Sequence, residues 1–138
     1  MRLQVSILTP DRIFKNIEAE ELMLPTSTGQ MGVLTGHAPL ITALDIGPIL
    51  FRQKAEWEIL ALIGGFALVQ NDKVTILVNE VVPSSLVEKD EAEKTLQEAT
   101  NRLQQVDGKK EKVEATFAFK RAKARYQTVT WKKLHSLT

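Results

Sequence analysis

Along the first part of the chain, apolar and polar residues alternate with a period of two. Leu3, Val5 and Ile7 are separated by Gln4 and Ser6, and Thr9-Pro10-Asp11-Arg12 then supplies turn chemistry. The same pattern predicts a strand from Ile17 to Leu24 ending at Pro25, a turn at Thr26-Ser27-Thr28-Gly29, and strands near Val33–Leu34, Leu40–Leu44 and Ile49–Gln53. The apolar run Glu58–Val69 is interrupted by Gly64-Gly65, which predicts a bulge or a bend. Asn71-Asp72 predicts a tight hairpin into Val74–Val78. Short strands bounded by turns in this way predict an antiparallel β-sandwich or barrel.

After Pro83 the period becomes helical. Ser85-Leu86-Val87-Glu88 has the form of a capping box, and Ala92, Leu96, Ala99, Leu103 and Val106 follow at steps of three and four. Asp107-Gly108 predicts the stop, with Gly108 taking a positive φ. Ala115, Phe119, Ala122, Tyr126 and Val129 repeat the spacing, so two antiparallel helices form a hairpin. His135 falls in a tail expected to fray. The expected organisation is a β-sandwich over residues 1–83 and a helical hairpin over residues 84–138. Both helical stripes are rich in alanine and bury little apolar area, so the hairpin is expected to be detachable.

Composition narrows the function. The chain has 138 residues, a formal net charge of +1 and no cysteine, which excludes disulfides and thiolate metal sites. No apolar run approaches the ~18 residues of a spanning helix and no signal-peptide pattern is present, so any membrane association is expected to go through partner proteins. The small net charge hides an asymmetry. Residues 1–87 carry 6 basic and 9 acidic side chains, and residues 88–108 carry 3 and 6; residues 109–138 carry 9 and 2. Such a segregated basic segment is expected to meet an acidic surface, in a partner or within the molecule.

Catalytic chemistry finds little support. Gly29, Gly32 and Gly36 fit neither a dinucleotide fingerprint nor a phosphate loop, and Gly64-Gly65 lacks the same context. His37 has no escort: Ser27 and Asp45 lie in turns, and nothing aligns them with it as a triad. His37 is read as a packed or interface histidine, and His37 and His135 give no metal signal. Neither a catalytic residue nor a cofactor site is expected. Lys120, Arg121, Lys123 and Arg125 are more informative. At 100° per residue the first three point away from the Phe119/Ala122/Tyr126 seam and Arg125 flanks it. Two readings stand: a solvated face paired to Glu91, Glu93 or Glu98 across the hairpin, or a cationic face for an acidic partner. Aromatic residues are too sparsely interleaved for nucleic acid. Phe117 falls on the outward face, which suits a contact made in one state of the hairpin only.

The words Val5-Ser6-Ile7-Leu8-Thr9-Pro10-Asp11-Arg12, Gly36-His37-Ala38-Pro39-Leu40, Leu62-Ile63-Gly64-Gly65-Phe66-Ala67 and Val74-Thr75-Ile76-Leu77-Val78-Asn79 occur in an order that resembles the epsilon family of F-type ATP synthases, in its cyanobacterial and chloroplast branch. The resemblance spans essentially the whole chain. It implies a non-catalytic central-stalk subunit that couples proton translocation to ATP synthesis and restrains ATP hydrolysis through its C-terminal helices. It places the protein peripherally on the cytoplasmic or stromal face of a membrane, here the thylakoid. By the same resemblance Gly29, Gln30 and Met31 face the ring of c subunits, while His37, Gly64 and Gly65 face the gamma subunit. Lys120, Arg121, Lys123 and Arg125 match a basic helix that meets an acidic segment of a beta subunit. Relatives that bind ATP on the folded hairpin carry arginines where this chain has Glu91 and Glu98; two carboxylates oppose a polyanion, which implies weak or absent ATP binding. The alternative reading is a free-standing β-sandwich that binds a small ligand under a helical lid.

Overall fold

A computed structural model describes residues 2–83 and 88–136. It contains β1 (Leu3–Thr9), β2 (Arg12–Ala19), β3 (Glu21–Thr26), β4 (Gly29–Val33), β5 (Leu40–Leu44), β6 (Gly47–Gln53), β7 (Glu56–Gln70), β8 (Lys73–Pro83), α1 (Lys89–Gln105) and α2 (Lys109–Ser136). The strands connect in the order β2-β1-β8-β7-β6-β3-β4, with β5 added to β7.

One long strand turns this ladder into two layers. The first half of β7 pairs with β6, from Glu56↔Gln53 to Leu62↔Gly47, and the second half pairs with β5, from Gly65↔Leu44 to Val69↔Leu40. β8 follows β7 through both halves. The break falls at the double glycine, where Gly64 has φ +66° and Gly65 φ +155°. It is a bend and not a bulge, because Ile63↔Glu80 and Gly65↔Val78 keep one register. A Cβ on Gly65 would lie 2.0 Å from the Leu77 carbonyl oxygen, so only glycine lets β8 pass here. The result is a sandwich. Its first layer is β2, β1, the start of β8, the end of β7, and β5; its second is the end of β8, the start of β7, β6, β3 and β4. Leu3, Ile7, Leu22, Ile49, Phe51 and Ile76 fill the space between, all fully buried.

Several local expectations change. The stretch expected as one strand over Ile17–Leu24 is two, β2 and β3, parted at Glu20. Glu20 turns back to accept the Lys54 amide at 2.7 Å and Arg52 Nη1 at 2.6 Å, tying the parting to the β6–β7 turn. Pro25 does not end β3 but lies buried within it, opposite Gln30 of β4. Asn71 and Asp72 take φ of 52° and 62°, the left-handed pair that a two-residue hairpin needs; Lys54 and Ala55 do the same at 50° and 66°. α1 begins at Lys89 with Glu88 in the N-cap position and no side-chain cap bond, and the remainder of the expected capping box, 85–87, lies outside the described residues. α1 ends because Val106 turns extended at φ −88°, ψ 138°. Gly108 does not take the positive φ expected of it; its carbonyl accepts the Lys112 amide at 2.8 Å and so opens α2. α2 runs to Ser136, so His135 falls in its last turn instead of a frayed tail.

The hairpin is folded onto the sandwich. α1 packs on α2, and α2 packs on β6 and β7. Ile59–Ile63 of β7 is buried at every position, so both faces of that segment are covered: Leu60 and Leu62 belong to the sandwich core, while Ile59, Ala61 and Ile63 point to the opposite side, beneath α2.

Candidate functional site

Three surfaces carry the residues singled out from the sequence. The first is the outer face of the first layer. Strand register aligns Ala43, Phe66, Leu77, Leu8 and Ile13 in one row across β5, β7, β8, β1 and β2. A second row begins with Ile41 beside Leu68 and passes into Thr75, Ser6 and Asn16. Ile41 is 74% exposed, Ile13 61%, Phe66 58% and Leu77 52%. A contiguous apolar surface of this kind marks a docking face for another macromolecule. His37 and Gly64-Gly65 sit at its two ends, since β5 starts near the former and finishes beside the latter. At about 3.3 Å per residue the five-residue strand β5 keeps them roughly 15 Å apart, so they border the face and do not share one point. The His37 loop is pinned by its amide on the Leu34 carbonyl at 3.2 Å and by the Gly36 amide on Asp72 Oδ1 at 2.7 Å. His37 Nδ1 lies 2.7 Å from the Ala38 carbonyl oxygen, and neither Ser27 nor Asp45 is bonded to the ring.

The second surface is the β3–β4 turn. Thr26 Oγ1 donates to the Gly29 carbonyl at 2.6 Å, and Gly29 takes φ +118°. Gly29 and Gln30 are exposed, whereas Met31 is half-buried against the core and anchors the turn. Gly29 and Gln30 also border a cleft of about 390 Å³ between the sandwich and α2, whose far wall includes Phe119, Lys120 and Lys123.

The third surface is α2. Lys120, Arg121, Lys123 and Arg125 do not pair with Glu91, Glu93 or Glu98. Lys120 Nζ reaches Asp45 Oδ1 at 3.4 Å. Arg121 forks onto Glu80, Nε to Oε2 at 3.3 Å and Nη2 to Oε1 at 2.5 Å. Across the hairpin the ion pair is Arg102–Glu114 at 3.9 Å. Lys123 and Arg125 have no ion pair among the described residues, and Arg125 Nε is buried without a hydrogen-bond partner. Ala124 and Thr128 are buried on the side of α2 opposite Ala122, and the Thr128 hydroxyl donates to the Ala124 carbonyl at 2.8 Å. α2 therefore has two small-residue faces, one for α1 and one for the sandwich; only the first was read from the sequence. The second could have been found by marking Ala124 and Thr128 as one stripe at a spacing of four.

Sequence reasoning also missed the apolar outer face and the roles of Asp45 and Glu80. The face had a signal: β7 is apolar at Phe66 and Leu68 as well as at Ala67 and Val69, more than one buried side needs. Among the described residues no group of three histidines or carboxylates could hold a metal ion, and no helix is long and apolar enough to cross a membrane.

Two family descriptions match the chain. Residues 2–84 match the ATP synthase delta/epsilon chain β-sandwich domain, and residues 88–130 match the delta/epsilon chain long α-helix domain. The chain is 61% identical over 129 residues to the chloroplastic ATP synthase epsilon chain of Chlorella vulgaris, covering 94% of this chain and 96% of that one. It is 58% identical over 130 residues to the same chain of Tupiella akineta, covering 94% and 100%. Among solved structures, a chain of the Euglena gracilis mitochondrial ATP synthase superposes with TM-score 0.79 at 23% identity, over 89% of this chain and 78% of that one. A chain of the Tetrahymena thermophila mitochondrial ATP synthase central stalk and c-ring does so with TM-score 0.68 at 17% identity, over 94% and 97%.

Proposed function

The chain belongs to the delta/epsilon family of ATP synthase subunits, and we propose that it works as the epsilon-type, non-catalytic subunit of a chloroplast-type rotary stalk. It couples proton translocation to ATP synthesis and restrains ATP hydrolysis, as a peripheral component at the thylakoid. The observation that carries this reading is the match along nearly the full chain to chloroplastic epsilon chains. The free-standing ligand-binding sandwich is not favoured.

Each surface has a task in this reading. The apolar outer face, bordered by His37 and Gly64-Gly65, seats the gamma subunit; burying exposed Phe66, Leu77 and Ile41 supplies the affinity. The turn at Gly29, Gln30 and Met31 meets the c-ring. Lys120, Arg121, Lys123 and Arg125 grip an acidic segment of a beta subunit once α2 leaves the sandwich, through several charge-assisted contacts at once. ATP is bound weakly or not at all: Glu91 and Glu98 are exposed carboxylates on α1, and Arg121 is already occupied by Glu80. A calorimetric titration with micromolar affinity would overturn that last point.

The decisive test is ATP hydrolysis by a stalk complex depleted of its own epsilon subunit and refilled to matched occupancy. Wild-type protein should inhibit. Replacing Lys120, Arg121, Lys123 and Arg125 by Ala, or ending the chain at residue 83, should raise the rate while leaving assembly intact. Equal inhibition by all three proteins would place the restraint in the sandwich; relief by truncation alone would assign it to the bulk of the helices.

A further inference from the structure

The sandwich side of α2 is built unlike an ordinary amphipathic contact. The helix side chains most fully buried there, Ala124 and Thr128, are small, Phe119 and Trp131 are partly buried beside the sandwich, and two ion pairs, one residue apart on the helix, join α2 to it. The carboxylates come from separate places in the sandwich. Asp45 lies in the β5–β6 connection, where its amide donates to the Pro25 carbonyl at 3.0 Å and its Oδ1 accepts the Ile46 amide at 2.8 Å. Glu80 lies on β8 opposite Ile63, immediately beyond the double-glycine bend. Both are therefore held in place by hydrogen bonds and strand pairing within the sandwich itself. They meet Lys120 and Arg121, half of the cationic set available to an acidic partner.

We propose that Asp45 and Glu80 are an internal decoy for that partner: in the docked hairpin they occupy Lys120 and Arg121, so that undocking and capture of the acidic segment are one exchange of carboxylates. This deepens, and rests on, the reading of α2 as the element that restrains hydrolysis. The physical case is competition between like ligands. The side chains of all four residues are one-third to one-half exposed, from 34% for Arg121 to 45% for Lys120, so each pair is weak and reversible. A strong latch would hold the helix permanently, and an apolar one would leave the cations free to bind in either state. The decoy also explains why these cations lie beside Ala124 and Thr128: small neighbours let the helix backbone come close enough for both carboxylates to reach.

The test separates docking from inhibition. Docking is read in the isolated full-length chain by hydrogen exchange of the α2 amides and by acrylamide quenching of Trp131, which shares a hollow with Met23, Leu50 and Trp57. Asp45→Asn with Glu80→Gln should speed α2 exchange several-fold and increase quenching, and in the refilled complex it should inhibit hydrolysis at several-fold lower protein concentration. The swap Glu80→Arg with Arg121→Glu should restore slow exchange yet inhibit less than wild type, because the pair is rebuilt but the cation is lost to the partner. Unchanged exchange in Asp45→Asn/Glu80→Gln overturns the decoy, even if truncation at residue 83 still relieves inhibition. Faster exchange with no inhibition by any variant leaves the latch standing and discards the reading of α2 as the restraint. Faster exchange with unchanged inhibitory potency overturns the competition.

Discussion

The two halves of β7 face opposite fates. Over Ile59–Ile63 its outer side is covered by α2, whereas over Phe66 and Leu68 its outer side stands in solvent. Both halves are comparably apolar, and both lie in the same strand with the same partner, β8. The double glycine between them decides the difference, because it sends the two halves into different layers. One layer is covered by α2 of its own chain; the other exposes large apolar side chains to solvent. The contrast sets a face covered from within the chain against one left open to solvent. Over the covered half, α2 contributes small buried side chains and half-exposed ion pairs above Ile59 and Ile63, and the open surface offers a row of large apolar side chains.

The largest expected effect comes from removing the bend that creates the contrast. Gly65→Ala sets a Cβ against the Leu77 carbonyl and keeps a strained φ, and should cost on the order of 3 kcal/mol in urea unfolding. If stability is unchanged, the bend is not what divides the layers. Next, Phe66→Ser with Leu77→Ser should leave the melting temperature within a few degrees of wild type but weaken binding to the gamma subunit at least thirtyfold, about 2 kcal/mol at an interface centre. Wild-type affinity in that variant would deny that the open face is the docking face.

The covered face should respond in the opposite sense. Ala124→Leu forces a larger side chain between α2 and the sandwich, and overpacking of this kind costs about 1–3 kcal/mol. If the hairpin is a separable unit, the cost should appear as undocking, seen as faster amide exchange confined to α1 and α2, with the exchange of β1 and β6 unchanged. Slowed folding of the whole chain instead would mean that helix and sandwich form one cooperative unit. The smallest effect concerns a turn outside the ion pairs of α2 and the exposed apolar rows. Ala55 holds φ 66° in the β6–β7 hairpin, so Ala55→Gly should stabilise by about 1 kcal/mol without altering either docking contact.

What could be read from the sequence was what neighbouring residues decide among themselves. The alternation of Leu3, Val5 and Ile7, the Asn71-Asp72 hairpin and the Ala92 and Ala115 stripes all express local geometry, and each appears in the fold. The β2–β3 parting was missed because its cause is distant: Glu20 leaves the strand direction to bond Arg52 and the Lys54 amide. The cationic residues of α2 stand out in the sequence as a group, and the partners of Lys120 and Arg121 do not. Asp45 and Glu80 are far from residue 120 in sequence, and only the folding of the hairpin onto β6 and β7 brings them together. The expectation of Gly108 at positive φ failed for a different reason: extended Val106 had already ended the helix two residues earlier.

One feature of the sandwich bears on the order in which the protein is made. β1 lies parallel to β8, with Gln4 beside Lys73 and Leu8 beside Leu77. During synthesis β1 thus waits for β8, which follows it by some sixty residues, and is held until then mainly by its hairpin with β2. Closing so long a loop is slow on entropic grounds. The helical hairpin emerges only after this closure becomes possible, so it meets a surface already shaped, with Asp45 and Glu80 in place. Synthesis alone would then give a newborn subunit its helices stowed, and release would have to be learned later from the machine it joins.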